Sequence, residues 1–234
     1  MNRITSLSMI AAAGLTAAAS ADITSAYVIR YEVTAADFDG GDVTVNVEDL
    51  YLCSDDAADT VLNVYNLNLV ESAQVNYFQS FTGTGWQPTN LGGPFDTAAL
   101  RLADSFVTIG GFAQDTIMPE QAPGAGAGTG LDPNFGGNGA SMPGTDAGWY
   151  NGSPPSLNGQ VGEVPGPNGG TRLGVFVGRF SFDGDFTLVD STLETTWNQG
   201  LGTPGLQAGF TVVPAPGALA LLGLAGLGGR RRRG

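Results

Sequence analysis

Twenty-two carboxylates, no histidine and no lysine set the chemistry open to this chain. Without an imidazole there is no Ser-His-Asp triad, no Cys-His pair and no histidine-ligated zinc or iron. Without an amine side chain, Schiff-base and Ser-Lys chemistry are closed as well. Paired carboxylates remain, as in glycoside hydrolysis, where two acids flank the scissile bond. No pair stands out by its sequence context, and the expectation is a protein that is not an enzyme. The densest oxygen clusters are "DFDGGD" (Asp37, Asp39, Asp42) and "SDDAAD" (Asp55, Asp56, Asp59). They bracket one strand, and calcium, which takes about six to eight oxygens, is the cofactor they would suit if their loops converge. The first cluster departs from the EF-hand pattern, with Gly41 where an acid belongs and Asp42 where the glycine does. Aspartates that simply form turns explain the same residues. Trp86, Trp149, Tyr150 and Trp197 are candidate stacking platforms for sugar rings, and equally candidate anchors for loops or core.

The elements that must position these groups read as strands. Apolar residues recur at every second position in "AYVIRYEV", "DVTVNVEDLYL", "TVLNVYNLNLV", "AQVNYFQSF", "DSFVTIGGF", "RLGVFVGRFSF" and "DFTLVDSTLETTW", with "GFTVV" as an eighth run. Asp183-Gly184, between two such runs, is a strong hairpin signal. No stretch of the body sustains a capped helical period. The fold class expected is therefore all-β: an antiparallel β-sandwich, jelly-roll or immunoglobulin-like, over residues 22–212. Residues 119–170 hold fifteen glycines and eight prolines, a composition read as a long loop or insertion, with "GWYNGSPP" as its one anchored point. Cys53 is the only cysteine, so no internal disulfide forms; "LYLCSDD" puts it in a strand beside carboxylates that disfavour a thiolate.

The two ends carry a different kind of signal. Residues 1–21 join an early positive charge, Arg3, to an alanine-rich apolar run closed by Ala19-Ser20-Ala21. This is the form of a secretory signal peptide, cut by signal peptidase between Ala21 and Asp22. All twenty-two acids lie between Asp22 and Glu194, where they face only Arg30, Arg101, Arg172 and Arg179, a net charge of −18. Such a body repels nucleic acid and anionic lipid. At the other end, residues 215–229 would reach about 22 Å as a helix, short of the roughly 30 Å hydrocarbon core. Their five leucines favour insertion by only about 2.5 kcal/mol. Arg230, Arg231, Arg232 and Arg233 would hold that weak span on the cytoplasmic side, leaving the acidic body outside.

The order of Val213-Pro214-Ala215-Pro216, "GALALLGLAGLGG" and the arginine cluster resembles the PEP-CTERM sorting signal of bacterial surface proteins, a tail also labelled after ice-binding proteins that carry it. The resemblance covers residues 213–234. It implies a membrane-embedded exosortase as partner, which recognises the tail and releases or transfers the protein. Ala215 stands where glutamate is usual, giving a Pro-Ala-Pro form. The body is similar, through "DTVLNVYNLNL", "ADSFVTIG", "GWYNGSPP" and "GVFVGRFSF", to one found in exported proteins of planctomycete-like bacteria. That likeness implies a bacterial group and no mechanism.

These readings converge on an exported, C-terminally sorted protein of the cell surface or extracellular matrix, membrane-held at its tail during processing. The expected role is structural or adhesive, with extracellular polysaccharide as a candidate partner. The alternatives are a lectin-like module, calcium-dependent or not, and a carboxylate-based glycoside hydrolase.

Overall fold

A computed structural model describes residues 22–36, 41–70, 76–79, 85–87, 98–110, 128–152, 158–166, 169–182, 184, 186–200 and 202–215. Among these described residues ten strands follow one another: β1 (Ile23–Ala36), β2 (Asp42–Ser54), β3 (Thr60–Asn68), β4 (Phe106–Val107), β5 (Thr129–Leu131), β6 (Ala147–Asn151), β7 (Gly162–Pro165), β8 (Thr171–Phe182), β9 (Thr192–Asn198) and β10 (Leu206–Pro214). A six-residue helix, α1 (Ala98–Ala103), precedes β4, and a 3-10 turn spans Pro133–Phe135. The all-β expectation holds. The strands form one sheet in the order β4-β8-β2-β1-β10-β9-β3-β6-β5, with β7 also bonded to β8.

The sheet is mixed, which corrects the expected purely antiparallel arrangement. β1 and β10 run parallel, with Ala26 opposite Val212 and Val28 opposite Pro214. Only strands far apart in sequence can pair this way, because a parallel pair needs a long crossover. The sheet also curls until it nearly closes. The Val61 amide donates to the Gly159 carbonyl and the Val161 amide to the Asp59 carbonyl. The residues leading into β7 thus bond the start of β3, while β7 itself bonds β8. A side chain at Gly159 would collide with the Val61 carbonyl, so this junction requires glycine.

The interior is filled by Ala26, Val28, Leu50, Leu52, Val61, Val64, Leu67, Trp149, Leu193 and Trp197, with Trp86 and Phe135 inserted from the connecting segments. β2 and β8 are buried on both faces over most of their length. Behind them lies a second layer, in which Tyr27 stacks on Tyr51 at 5.3 Å between ring centroids and Tyr51 meets Phe176 at the same distance. The ladder skips one residue of β8 between Phe176 and Gly178. This bulge at Val177 reverses the alternation, so Val175 and Val177 share the inner core with Phe180 and Phe182.

Neighbouring Glu48 and Asp49 project to opposite faces of β2, as strand alternation demands, and both are buried. Glu48 accepts hydrogen bonds from the Leu188 amide at 2.8 Å and the Thr187 hydroxyl at 2.7 Å. Asp49 accepts a two-pronged bond from Arg179, Nε at 2.7 Å and Nη2 at 3.0 Å, plus one from the Tyr31 hydroxyl at 3.1 Å. The guanidinium also donates to the Arg101 carbonyl of α1 and lies against the rings of Phe106, Phe176 and Tyr31. Burial alone would lower its pKa, and Asp49 more than reverses this, so Arg179 stays charged.

Two further sequence expectations are corrected. No hairpin joins β8 and β9 across the expected Asp183-Gly184 turn, because β8 pairs β2, β4 and β7 while β9 pairs β3 and β10; Asp183 itself lies outside the described residues. Gly184 takes a left-handed φ of 88°, but the chain then crosses the core, burying Phe186 and Leu188 on the way. The stretch 119–170, read as loop, carries β5, the 3-10 turn, β6 and β7, and supplies Phe135 and Trp149 to the core.

Replacing Asp49 by Asn or Arg179 by Met leaves a buried group unpaired and should cost about 3–5 kcal/mol. Leucine at 49 together with methionine at 179 should cost clearly less than the sum of the single changes. Urea midpoints for the three variants measure this. Additive losses would show that the pair does not act as a unit.

Candidate functional site

Asp42, the one described residue of the first aspartate cluster, and the second cluster lie at opposite ends of β2. Asp42 opens the strand and Asp55 follows its last residue, which separates them by about 40 Å at roughly 3.3 Å per residue. They cannot share one calcium ion, which corrects the convergence expected of them. Asp37 and Asp39 lie outside the described residues. In the second cluster each acid has its own structural bond. Asp55 Oδ1 accepts from the Asp22 backbone nitrogen at 2.8 Å, Asp56 Oδ1 from the Ala58 amide at 2.8 Å, and Asp59 Oδ2 from the Ser54 hydroxyl at 2.7 Å. Asp59 is fully buried, and burial pushes its carboxyl up, as it does that of Glu48. Among the described residues no three acids or cysteines are grouped to hold a metal ion.

The aromatic candidates are placed differently from a sugar-stacking set. Trp86, Trp149 and Trp197 are 0–2 % exposed and belong to the core. Trp86 Nε1 donates to the Ala140 carbonyl at 2.8 Å and Trp149 Nε1 to the Thr108 carbonyl at 2.9 Å. They anchor connecting segments, the alternative role open to buried indoles. Of the four, Tyr150 alone is at the surface, 45 % exposed, with its ring packed over Gly130. Cys53 is buried with its thiol pushed up by burial, as its strand position implies.

The structure instead opens a polar groove of about 360 Å³ across β3, β9 and β10. Its origin is local. In β3 the inward residues are Val61, Val64 and Leu67, a spacing of three that a regular strand cannot give. Two register irregularities, between Val61 and Asn63 and between Tyr65 and Asn68, make it possible, and Asn66 takes a left-handed φ of 51° within the second. Asn66 Nδ2 donates to Glu194 Oε1 at 3.1 Å on β9. Asn68 Nδ2 donates to Asp146 Oδ1 at 2.7 Å, in the turn before β6. Asp146 also has positive φ, 56°. Thr192 lies opposite both Asn68 and Thr211 in the ladders, so a row of amide and hydroxyl groups crosses the three strands. Gly209, opposite Glu194, leaves the neighbouring row without a β10 side chain. Tyr65, also on β3 and opposite Glu194 in the ladder, hydrogen-bonds to it as well; burial first, and then this carboxylate, push the phenol up. Nothing in the sequence singles these residues out as a site, because they stand apart along the chain and only the bulges bring them together.

The C-terminal motif begins inside the fold. Val213 and Pro214 are the last residues of β10, opposite Tyr27 and Val28 of β1, and the Ala215 amide donates to the Val28 carbonyl at 3.1 Å. The body therefore extends past the boundary expected at residue 212. Pro214 sits at the end of its strand, where its missing N–H costs least. Pro216, Arg230, Arg231, Arg232 and Arg233 lie outside the described residues, as do Ala19 and Ala21; Asp22 is the first residue described. Among the described residues no helix is long and apolar enough to cross a membrane. The chain matches no family model, no curated protein and no solved structure.

The two raised carboxyls give a pH dependence of definite sign. A group whose folded pKa exceeds its unfolded value holds its proton more tightly in the folded state. Its stabilisation is full below the ordinary carboxyl range, about 4, and is lost as pH rises through the raised value. Wild type should therefore gain melting temperature relative to Asp59→Asn as pH falls from 7 to 4. A gap between the two that stays constant across this range would contradict the burial argument.

Proposed function

We propose that this is an exported bacterial protein of the cell surface or extracellular matrix, and that it acts adhesively by holding neutral polysaccharide in the groove across β3, β9 and β10. In this reading the signal peptide ends at Ala21, an exosortase-type enzyme handles the tail after Ala215, and residues 22–215 are the working body, its sheet halves serving as the layers of a sandwich.

The observation that carries the binding part is the pair of amide–carboxylate couples, Asn66 with Glu194 and Asn68 with Asp146, set at fixed places in an open groove. Asn68 gives its amide protons to Asp146 Oδ1 and the Asn66 carbonyl, so the couples would serve a hydroxyl-rich ligand through the carboxylate oxygens they hold in place as acceptors. Tyr65 helps hold Glu194 in place through its hydrogen bond to that carboxylate. The strongly acidic body favours uncharged over anionic chains. Binding is preferred to catalysis because histidine and lysine are absent and each groove carboxylate is tied to an amide.

Retention of the purified protein in native gels cast with neutral polysaccharides tests this. Asn68→Ala and Glu194→Ala should each weaken binding about tenfold, the worth of one or two hydrogen bonds, with melting temperatures within a few degrees of wild type. Unchanged retention in both folded variants would remove the groove from consideration. Trp149→Ala is the useful control: its loss should act through the core, lowering stability by about 3–5 kcal/mol.

A further inference from the structure

The first described residue closes the end of the β1–β2 ladder through its backbone nitrogen. The backbone nitrogen of Asp22 donates to Asp55 Oδ1 at 2.8 Å, and the Asp55 amide donates back to the Asp22 carbonyl at 3.3 Å. The next ladder pair is Ile23 with Ser54, so this exchange closes the open end of the β1–β2 pairing. The acceptor is held in place by its turn. Ser54 Oγ accepts from the Asp56 amide at 2.9 Å and bonds the buried Asp59 carboxylate at 2.7 Å, while Asp56 Oδ1 takes the Ala58 amide. Asp55 itself is exposed, and its Oδ1 is directed at the Asp22 nitrogen.

We propose that Asp55, supported by neighbouring Asp56, is a docking site for the α-ammonium group that signal-peptide removal creates on Asp22. The proposal rests on the cut between Ala21 and Asp22 in the reading above. In that hydrolysis one water is consumed; a carboxylate leaves on Ala21 and the nitrogen of Asp22 becomes an ammonium. The atom that donated one neutral N–H now carries three donors and a positive charge, at the same 2.8 Å from a carboxylate oxygen. Export would thus finish the fold: the cut that frees the chain also charges the hydrogen bond that fastens β1 to the end of β2. The acids at this turn, Asp55, Asp56 and Asp59, and Asp22 itself are all opposite in sign to the ammonium.

The absence of lysine makes a clean test possible, because the α-amine is then the sole primary amine of the protein. The full chain is expressed in an exporting bacterium, the mature protein is purified and its intact mass fixes the N terminus. An acetyl-succinimidyl ester followed by hydroxylamine, which clears tyrosine esters, then acetylates the terminus alone. Melting temperatures are compared for wild type and Asp55→Asn, free and acetylated. Acetylation should lower the wild-type melting temperature by about 1–3 °C, the scale of an exposed ion pair in a domain of this size. Asp55→Asn should start lower by a similar amount and be indifferent to acetylation. A mass beginning at Asp22 with equal responses in both proteins, or with none in wild type, overturns the docking site alone. A mature terminus elsewhere than Asp22 overturns the cleavage reading, and the docking site with it.

Discussion

A guanidinium that cannot reach water governs how this sheet is assembled. Arg179 lies behind β8, bound twice to Asp49 and bordered by the rings of Tyr31, Phe106 and Phe176. The desolvation cost of each ion in such a place is several kcal/mol, so neither is tolerable without the other. Their pairing fixes which residues of β2 and β8 stand opposite. It also ties down the helical segment through the Arg101 carbonyl. On the opposite face of β2, Glu48 meets the same demand through the crossover at Thr187 and Leu188. Two adjacent acids therefore bind the sheet's back layer and its interior crossing to one strand.

That arrangement explains what the sequence made legible and what it hid. The period-two runs of β1 and β2 lie where the amino-acid pattern puts them, because those strands pair in regular register over most of their length. β3 breaks the pattern with two irregularities, and β8 with one, and both departures are backbone events that leave no mark in residue type. The glycine-rich stretch reads as loop because glycine counts against a core. Yet at Gly159 the same residue type permits a backbone approach that no side chain would allow. Asp183-Gly184 carries a true turn signal, but a local signal says nothing of the strand that follows, which joins another part of the sheet. The tryptophans were ambiguous from composition, and only their burial and indole hydrogen bonds decide between surface and core.

The groove and the two chain ends share a dependence on β10. This strand supplies one wall of the groove through Thr211 and the bare position at Gly209, then runs beside β1 as far as Pro214. β1 in turn begins one residue after the proposed cut site. Strands at the two extremes of the body thus lie side by side and join the two regions of the sheet. Removing either would open the ring, and removing β10 would also take a wall from the groove. The proposed processing at both ends is compatible with such a fold only if each cut falls outside the β1–β10 ladder.

The most direct measurement is the intact mass of the protein recovered separately from cytosol, cell surface and medium of cells making the full chain. A surface or medium species that begins at Asp22 and ends at or beyond Ala215 is predicted, since Val213, Pro214 and Ala215 are bonded to β1. A full-length, uncut chain dissolved in the cytosol, or an end within β10, would contradict it.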